Sequence, residues 1–220
     1  MEASSGCASW MTVGCVTGRE DEDVSAQTTA AAEAAVVGDR PLRADARRNR
    51  ERLVSAARAT LAARGSEASM DEIARAAGVG VGTLYRHFPR RIDLVEAVYR
   101  DDVDALVALA ERVGAEAGPW NALVAWLEGF LDYAAAKRTF LTELHEAFEK
   151  KPDLALASRE RIRAAVGQVL GRAQAAGVAR DDIDGADLLQ LIGGMCMARN
   201  GTLEQNKRLL LLLLDGIKRG

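Results

Sequence analysis

The chain predicts an all-α fold, with an N-terminal helix-turn-helix head of three helices followed by a larger C-terminal helical domain. Three observations carry this expectation. Apolar residues recur at helical spacing from Leu53 almost to the C-terminus, no run alternates apolar and polar with period two, and glycine or proline stands where helices of ordinary length end. Of the 220 residues 49% are hydrophobic, so a chain of this length can bury a core of its own.

Residues 1–40 are rich in Ala, Ser, Thr and Gly, with acids clustered from Glu20 to Asp23 and no sustained apolar face, and they read as a disordered extension. No basic segment leads into an apolar run there, so the extension does not read as a secretory leader, and Met11 stands as an alternative start. A first long helix is predicted from Asp45 to Arg64, with Leu53, Ala57 and Leu61 stacked at i, i+4 and i+8 and Gly65 as its stop. Arg43, Arg47, Arg48 and Arg50 at its leading end can reach phosphate, one or two as contacts and the rest as solvated charge.

Ser69 with Glu72 three residues on forms a capping box, which starts a second helix at about Met70. Ile73, Ala74 and Ala77 share one face of it, and Gly78 supplies the positive φ that ends it. Val79 plugs the angle to a third helix, opened by Gly80 or Val81 and buried along Leu84 and Phe88. Its other face carries Thr83, Tyr85, Arg86 and His87, and Pro89 stops it. A short helix with a thin apolar stripe and an outer face of donors suits the DNA major groove, which is about 12 Å wide and admits one helix.

Together these motifs, NRERLVSAA from Asn49, MDEIARAAGV, GTLYRHF and RRIDLVEAV, resemble the DNA-binding domain of the TetR family of bacterial transcriptional regulators. The resemblance implies that Thr83, Tyr85 and His87 contact DNA backbone or bases and that Val81, Gly82 and Arg86 lie against the groove. It further implies that Arg91 stands in for a phosphate-binding lysine at the start of the fourth helix. Arg48, Arg50 and Ser69 complete the set assigned to DNA. Three departures stand out: Arg90 replaces a small capping residue, Gly80 a frequent serine, and the loop Gly65 to Ser69 is about one residue short. The implied organisation is an extension over 1–40, a DNA-binding head over 41–91 and an effector-binding and dimerisation domain over 92–220.

Charge is distributed to match. From Arg40 to Arg100 there are 13 arginines and 7 acids, whereas the remainder holds 16 basic and 25 acidic residues, for a net charge of −3. One basic block joined to an acidic one is the footprint of a protein that meets phosphate with one part only, although a solvated helical surface accounts for it equally well. The three cysteines, Cys7, Cys15 and Cys196, have neither an even count nor metal-like spacing, so a reducing cytoplasm fits better than a disulfide framework. With only His87 and His145 in the chain, no metal site and no cofactor is predicted.

After Arg91 a fourth helix runs to about Val113, with Leu94, Val98, Ala105 and Leu109 as its expected seam, and Gly118-Pro119 breaks the chain. Helix five carries Trp126, Phe130 and Tyr133 at i, i+4 and i+7, and helix six carries Leu144, His145 and Phe148. Pro152 precedes a long helix through Ile162, Val166 and Leu170 that ends near Gly177. The last pair, about Asp184 to Arg199 and Glu204 to Ile217, is joined by an Asn200-Gly201 turn.

Trp126, Phe130, Tyr133, His145 and Phe148, with Met195 opposite, are the candidate lining of a cavity for an apolar or aromatic effector, although such a stripe is also what core packing produces. Leu209 to Leu214 is a run of six leucines, far short of the roughly 20 apolar residues of a membrane span. It reads either as an internal core helix or as a dimer interface. TetR resemblance favours the interface, built from Gly193, Leu210, Leu213, Leu214 and Ile217. It also implies a homodimeric repressor on a palindromic double-stranded operator, released by the effector.

Two rival readings compete with a DNA-binding regulator. Gly78-Val79-Gly80-Val81-Gly82 superficially resembles a phosphate-cradling loop, but no strand precedes it and Tyr85 occupies the place of the third glycine. No nucleophile is found with a base and an orienter, so an enzyme is not expected. The alternative is a helical protein-interaction module that has lost DNA binding, against which the presence of Thr83, Tyr85, His87 and Arg91 speaks.

Overall fold

The computed structural model describes residues 44–198 and 202–219. The extension over 1–40, Met11, Cys7, Cys15, Arg43 and the Asn200-Gly201 turn lie outside the described residues. The chain divides into two units, Met1–Arg47 and Arg48–Gly220. Of the first, only 44–47 are described, as helix.

Among its described residues the second unit is built of helices joined by short turns, as the spacing predicts. Its first helix, α1, covers 48–64, and a single 3-10 turn, Gly65–Glu67, follows. Gly65 sits at φ 56°, and a Cβ there would stand 2.9 Å from the carbonyl oxygen of Thr139. Both the left-handed backbone and the close approach therefore require glycine where the head meets the body. The head continues with α2 (Met70–Ala76) and α3 (Val81–His87), packed around Leu53, Ala57, Leu61, Ile73 and Leu84.

The caps behave as the residues dictate. Ser69 Oγ accepts from the Glu72 N–H at 3.2 Å, and the Glu72 carboxylate accepts from the Ser69 N–H at 3.0 Å. Gly78 takes φ 65°. At Gly80 no side chain caps α3, so its first turn rests on its backbone bonds and on buried Leu84. Arg90 is a stronger start than its residue type suggests. The Asp93 carboxylate accepts from the Arg90 N–H at 3.1 Å and from its guanidinium at 2.6 Å, and this pairing with the guanidinium holds the Asp93 carboxyl below its usual range.

The body consists of α4 (Arg91–Glu116), α5 (Pro119–Arg138), α6 (Leu141–Lys150), α7 (Pro152–Ala175), α8 (Gly185–Met197) and α9 (Leu203–Ile217). Its centre is α4, which packs on α5, α6 and α7. The seam of α4 corrects the expectation: Leu94 and Val98 are buried, but Ala105 is exposed and Leu109 half-buried, while Tyr99, Val103, Leu106 and Ala110 complete the inner face. Beyond the first turns the buried arc of α4 centres on Tyr99, Val103, Leu106 and Ala110, which recur at helical spacing, so Ala105 and Leu109 fall at its edge. The C-terminus is tied down by an isolated antiparallel bridge between Ala179 and Lys218, so α9 is anchored to the loop between α7 and α8. Among the described residues no helix is long and apolar enough to cross a membrane.

Candidate functional site

The outer face of α3 is built by subtraction. Leu84 and Phe88, four residues apart, are driven into the head's core, at 0% and 4% exposure. The same rotation leaves Val81, Gly82, Tyr85 and Arg86 outward, with Thr83 and His87 at the half-buried flanks. Arg86 lies back along its own helix, donating from Nε to the Gly82 carbonyl at 3.3 Å and from its guanidinium to Thr83 Oγ1 at 3.1 Å. These are weak exposed contacts that a base edge or a phosphate can replace. Arg50, from α1, stands 5.7 Å over the Phe88 ring, which brings a second element's charge beside α3. Arg48 is exposed on the same helix. Ser69 is committed to the α2 cap: its Oγ accepts from the Glu72 N–H and its hydroxyl donates to the Glu72 carboxylate, so a phosphate reaches this side chain only by displacing that bond.

Arg91 is placed differently from what resemblance implies. Its guanidinium donates to the Ala68 carbonyl, reaches the Ser66 carbonyl at 3.3 Å and pairs with Glu143 of α6 at 3.1 Å. A cation whose donors are committed to turn carbonyls and a carboxylate is a clamp between head and body rather than a free phosphate ligand. Arg91→Ala is therefore expected to lower the melting temperature and leave the salt dependence of DNA binding unchanged. A drop of about one unit in the slope of log affinity against log salt, with stability intact, would return Arg91 to the DNA.

A cavity of about 190 Å³ lies between α4, α5, α6, α7 and α8. Tyr99, Phe130, Tyr133 and Phe148 form its aromatic wall, and Lys137 and Arg159 are its charged members. Tyr99 meets Phe148 edge-on at 5.1 Å, and Phe130 lies 5.7 Å from Tyr133. Burial, reinforced by the neighbouring Tyr99, pushes the Tyr133 phenol up, so it is a neutral donor at any physiological pH. A larger cleft of about 430 Å³ shares Tyr133 but is lined by Arg58, Asp101, Asp102, Arg112 and Asp132, and Arg58 already pairs with both Asp101 and Asp102. Mixed charge suits it to holding α1 against α4 rather than to an apolar guest.

Three of the six predicted lining residues, Phe130, Tyr133 and Phe148, converge on the smaller cavity. Trp126 does not line it: fully buried, it stacks on Phe130 at 5.8 Å and donates from Nε1 to the Leu106 carbonyl at 3.1 Å. His145 lies on the solvent face of α6, 3.4 Å from Glu149, because Leu144 and Ala147 take the inward positions. Met195 is half-buried against the core and does not line the cavity. Tyr99, Lys137 and Arg159 were missed. Each belongs to a different helix, and only packing brings them together.

The proposed interface residues also divide. Asn206, Leu210, Leu214 and Ile217 recur at i, i+4, i+8 and i+11 and are all buried, so Leu210, Leu214 and Ile217 belong to the chain's own core. Gly193 and Leu213 are half-buried. The outward face of α9 carries Gln205, Leu211, Leu212 and Gly216, with Leu211 60% and Leu212 68% exposed, while Leu209 is half-buried. On α8 the exposed positions include Leu191, Gly194 and Met197.

An outward donor face on a short second helix of a helix-turn-helix, mounted on an all-α body, defines a DNA-reading regulator. Residues 53–98 match the family described as bacterial regulatory proteins, tetR family, and 118–219 match the C-terminal domain described as transcriptional regulator SbtR-like. The crystal structure of a TetR transcriptional regulator from Streptomyces coelicolor is 37% identical, with a TM-score of 0.69 over 77% of this chain and 98% of that one. A TetR transcription regulatory protein from Mycobacterium vanbaalenii is 36% identical, with a TM-score of 0.63 over 81% and 100%. The TetR-like regulator LfrR from Mycobacterium smegmatis, solved in complex with proflavine, is 26% identical, with a TM-score of 0.57 over 77% and 95%. An HTH-type transcriptional regulator of Staphylococcus aureus (strain USA300) is 40% identical over 73 residues, 33% of this chain and 40% of that protein, so the chain spans well under half the length of the curated relatives it matches. The chain belongs to the TetR family of transcriptional regulators.

Proposed function

We propose that this regulator is a repressor that binds a palindromic operator as a homodimer and is released by a small apolar or aromatic effector held in the cavity between α4 and α8. The observation that carries the DNA half is the outer face of α3: Tyr85 is 45% exposed and Val81 40%, on a helix whose other side is sealed into the head. DNA contacts are assigned to Arg48, Arg50, Ser69, Val81, Gly82, Thr83, Tyr85, Arg86 and His87. Two of the four groove-facing residues, Val81 and Gly82, lack a hydrogen-bonding side chain, so backbone fit and half-site spacing supply much of the specificity. The division into a head over 41–91 and an effector-binding and dimerisation domain over 92–220 belongs to the same proposal.

The effector half rests on α4. Its first residue, Arg91, clamps the turn before α2, and Tyr99, eight residues and about 12 Å along the helix, lines the cavity. Glu143 and Phe148 repeat this arrangement on α6, one end at the clamp and the other at the cavity. A guest that moves Tyr99 or Phe148 is thereby coupled to the turn that orients the head. By linkage, a ligand that prefers the displaced form weakens DNA binding by the factor by which DNA weakens ligand binding. LfrR, crystallised with proflavine, is a relative in which a small molecule is bound.

The test is fluorescence anisotropy with duplexes from the protein's own promoter region and a scrambled control, across a salt series. Selective, salt-sensitive binding supports the reading; equal weak binding to both duplexes at every salt overturns it. Tyr85→Ala is expected to weaken operator binding by about 1 to 3 kcal/mol while leaving assembly unchanged, and unaltered affinity would show that α3 does not read the groove.

A further inference from the structure

We propose that the effector is an anion: a small carboxylate on an aromatic or alkyl body, with its charge taken up by Lys137 and Arg159. The proposal rests on the reading of the α4–α8 cavity as the effector site and specifies what that site accepts.

Lys137, in the last turn of α5, holds its ammonium over three rings, 5.6 Å from the centroid of Tyr99, 5.9 Å from Tyr133 and 5.7 Å from Phe148. Faces of aromatic rings attract a cation, so the three rings hold the ammonium at the cavity wall. They neutralise nothing, however. Among the described residues no carboxylate pairs with Lys137 or Arg159, and none lines the cavity. Burial, and then the positive charge of Arg159, hold the Lys137 ammonium below its usual range. A half-buried cation beside a second cation, with no counter-ion, is an unfavourable arrangement that a bound anion relieves.

The rest of the lining describes the ligand's body. Phe130, Phe148, Ile162 and Leu189 offer apolar contact, and Arg159, exposed on α7, stands at the rim while Lys137 lies deeper among the rings. At about 190 Å³ the cavity is below the roughly 300 to 1,000 Å³ of pockets for drug-sized ligands, so the guest is small. An ammonium ligand meets two like charges here, and a neutral one leaves Lys137 uncompensated. Selection is therefore for charge sign as well as for apolar surface.

Calorimetric titration of the full-length protein with 2-naphthoate and with decanoate, each beside its primary amide and its amine, tests the sign. The carboxylates are expected to bind about 10- to 100-fold more tightly than their amides, the range of one charge-assisted contact, and the amines more weakly still. Lys137→Met should abolish that preference, Lys137→Arg restore it in part, and Arg159→Gln reduce it, with circular dichroism confirming each fold. Amides or amines binding as well as both carboxylates, or no binding by either carboxylate, overturns the proposal. The same ligands added to the operator complex separate the two readings. Carboxylates that bind through Lys137 without releasing DNA support the charge assignment and sink the release mechanism. Release by amide or amine as effectively as by acid sinks the charge assignment alone.

Discussion

A chain carrying Leu191→Glu and Leu212→Glu is expected to sediment as a monomer and to bind its operator about 100- to 10,000-fold more weakly, with its circular dichroism unchanged. The expectation starts from an asymmetry in α9. Its inward face, Asn206, Leu210, Leu214 and Ile217, is already committed to the chain's own core, yet Leu212 remains 68% exposed on the opposite side, and Leu191 of α8 is 52% exposed. Large apolar side chains left outward on adjacent packed helices mark a surface that another protein covers. A second copy is the occupant proposed, because a regulator with one short reading helix needs two heads on one duplex to gain selectivity.

Glutamate at these two sites acts on the pair of chains and not on the single fold. Both positions are solvent-facing in one chain, so ionised side chains there remain hydrated in the monomer. In a twofold assembly they bring four carboxylates together at a desolvated surface, where like charges repel strongly. Operator binding then loses the effective concentration that links one head to the other, which is the origin of the expected range. Analytical ultracentrifugation and anisotropy on the same samples check both halves. A double variant that stays dimeric moves the interface elsewhere. One that becomes monomeric and still binds with full affinity removes dimerisation from DNA recognition.

Local chemistry made most of the helix boundaries legible. The Ser69–Glu72 box, the left-handed glycines Gly65, Gly78 and Gly177, and Pro119 and Pro152 at the first positions of their helices all act within a few residues of where they stand. The site was less legible, and for one reason: its determinants are far apart in sequence. Arg91 finds its carboxylate 52 residues away, so its resemblance to a phosphate ligand could not be weighed against that partner. Tyr99, Lys137 and Arg159 reach one cavity from three helices, and no single-helix periodicity places them together. A run of six leucines covers more than a full turn and contains inward and outward positions alike. Only the neighbours of Asn206 and Ile217 separate Leu210 and Leu214 from Leu212.

Trp126→Ala is expected to destabilise the protein by about 3 to 5 kcal/mol, roughly 6 to 20 °C in melting temperature for a unit of this size. The indole is completely buried, stacks on Phe130 with 26° between planes, and crosses to α4 through its bond to the Leu106 carbonyl. Truncation removes that apolar volume from between α4 and α5 and leaves a void that close-packed helices fill only in part. Trp126→Phe separates the components. It keeps most of the volume and loses the N–H, and the Leu106 carbonyl, within α4, keeps its helical partner, so the loss should be nearer 1 kcal/mol. Effector affinity provides the second readout. A residue of the core should change stability in both variants while Trp126→Phe leaves effector binding unaltered, because the indole does not line the cavity and stacks on the outer side of Phe130, which does. Loss of effector binding in Trp126→Phe with stability preserved would place the indole in the cavity and reverse the assignment.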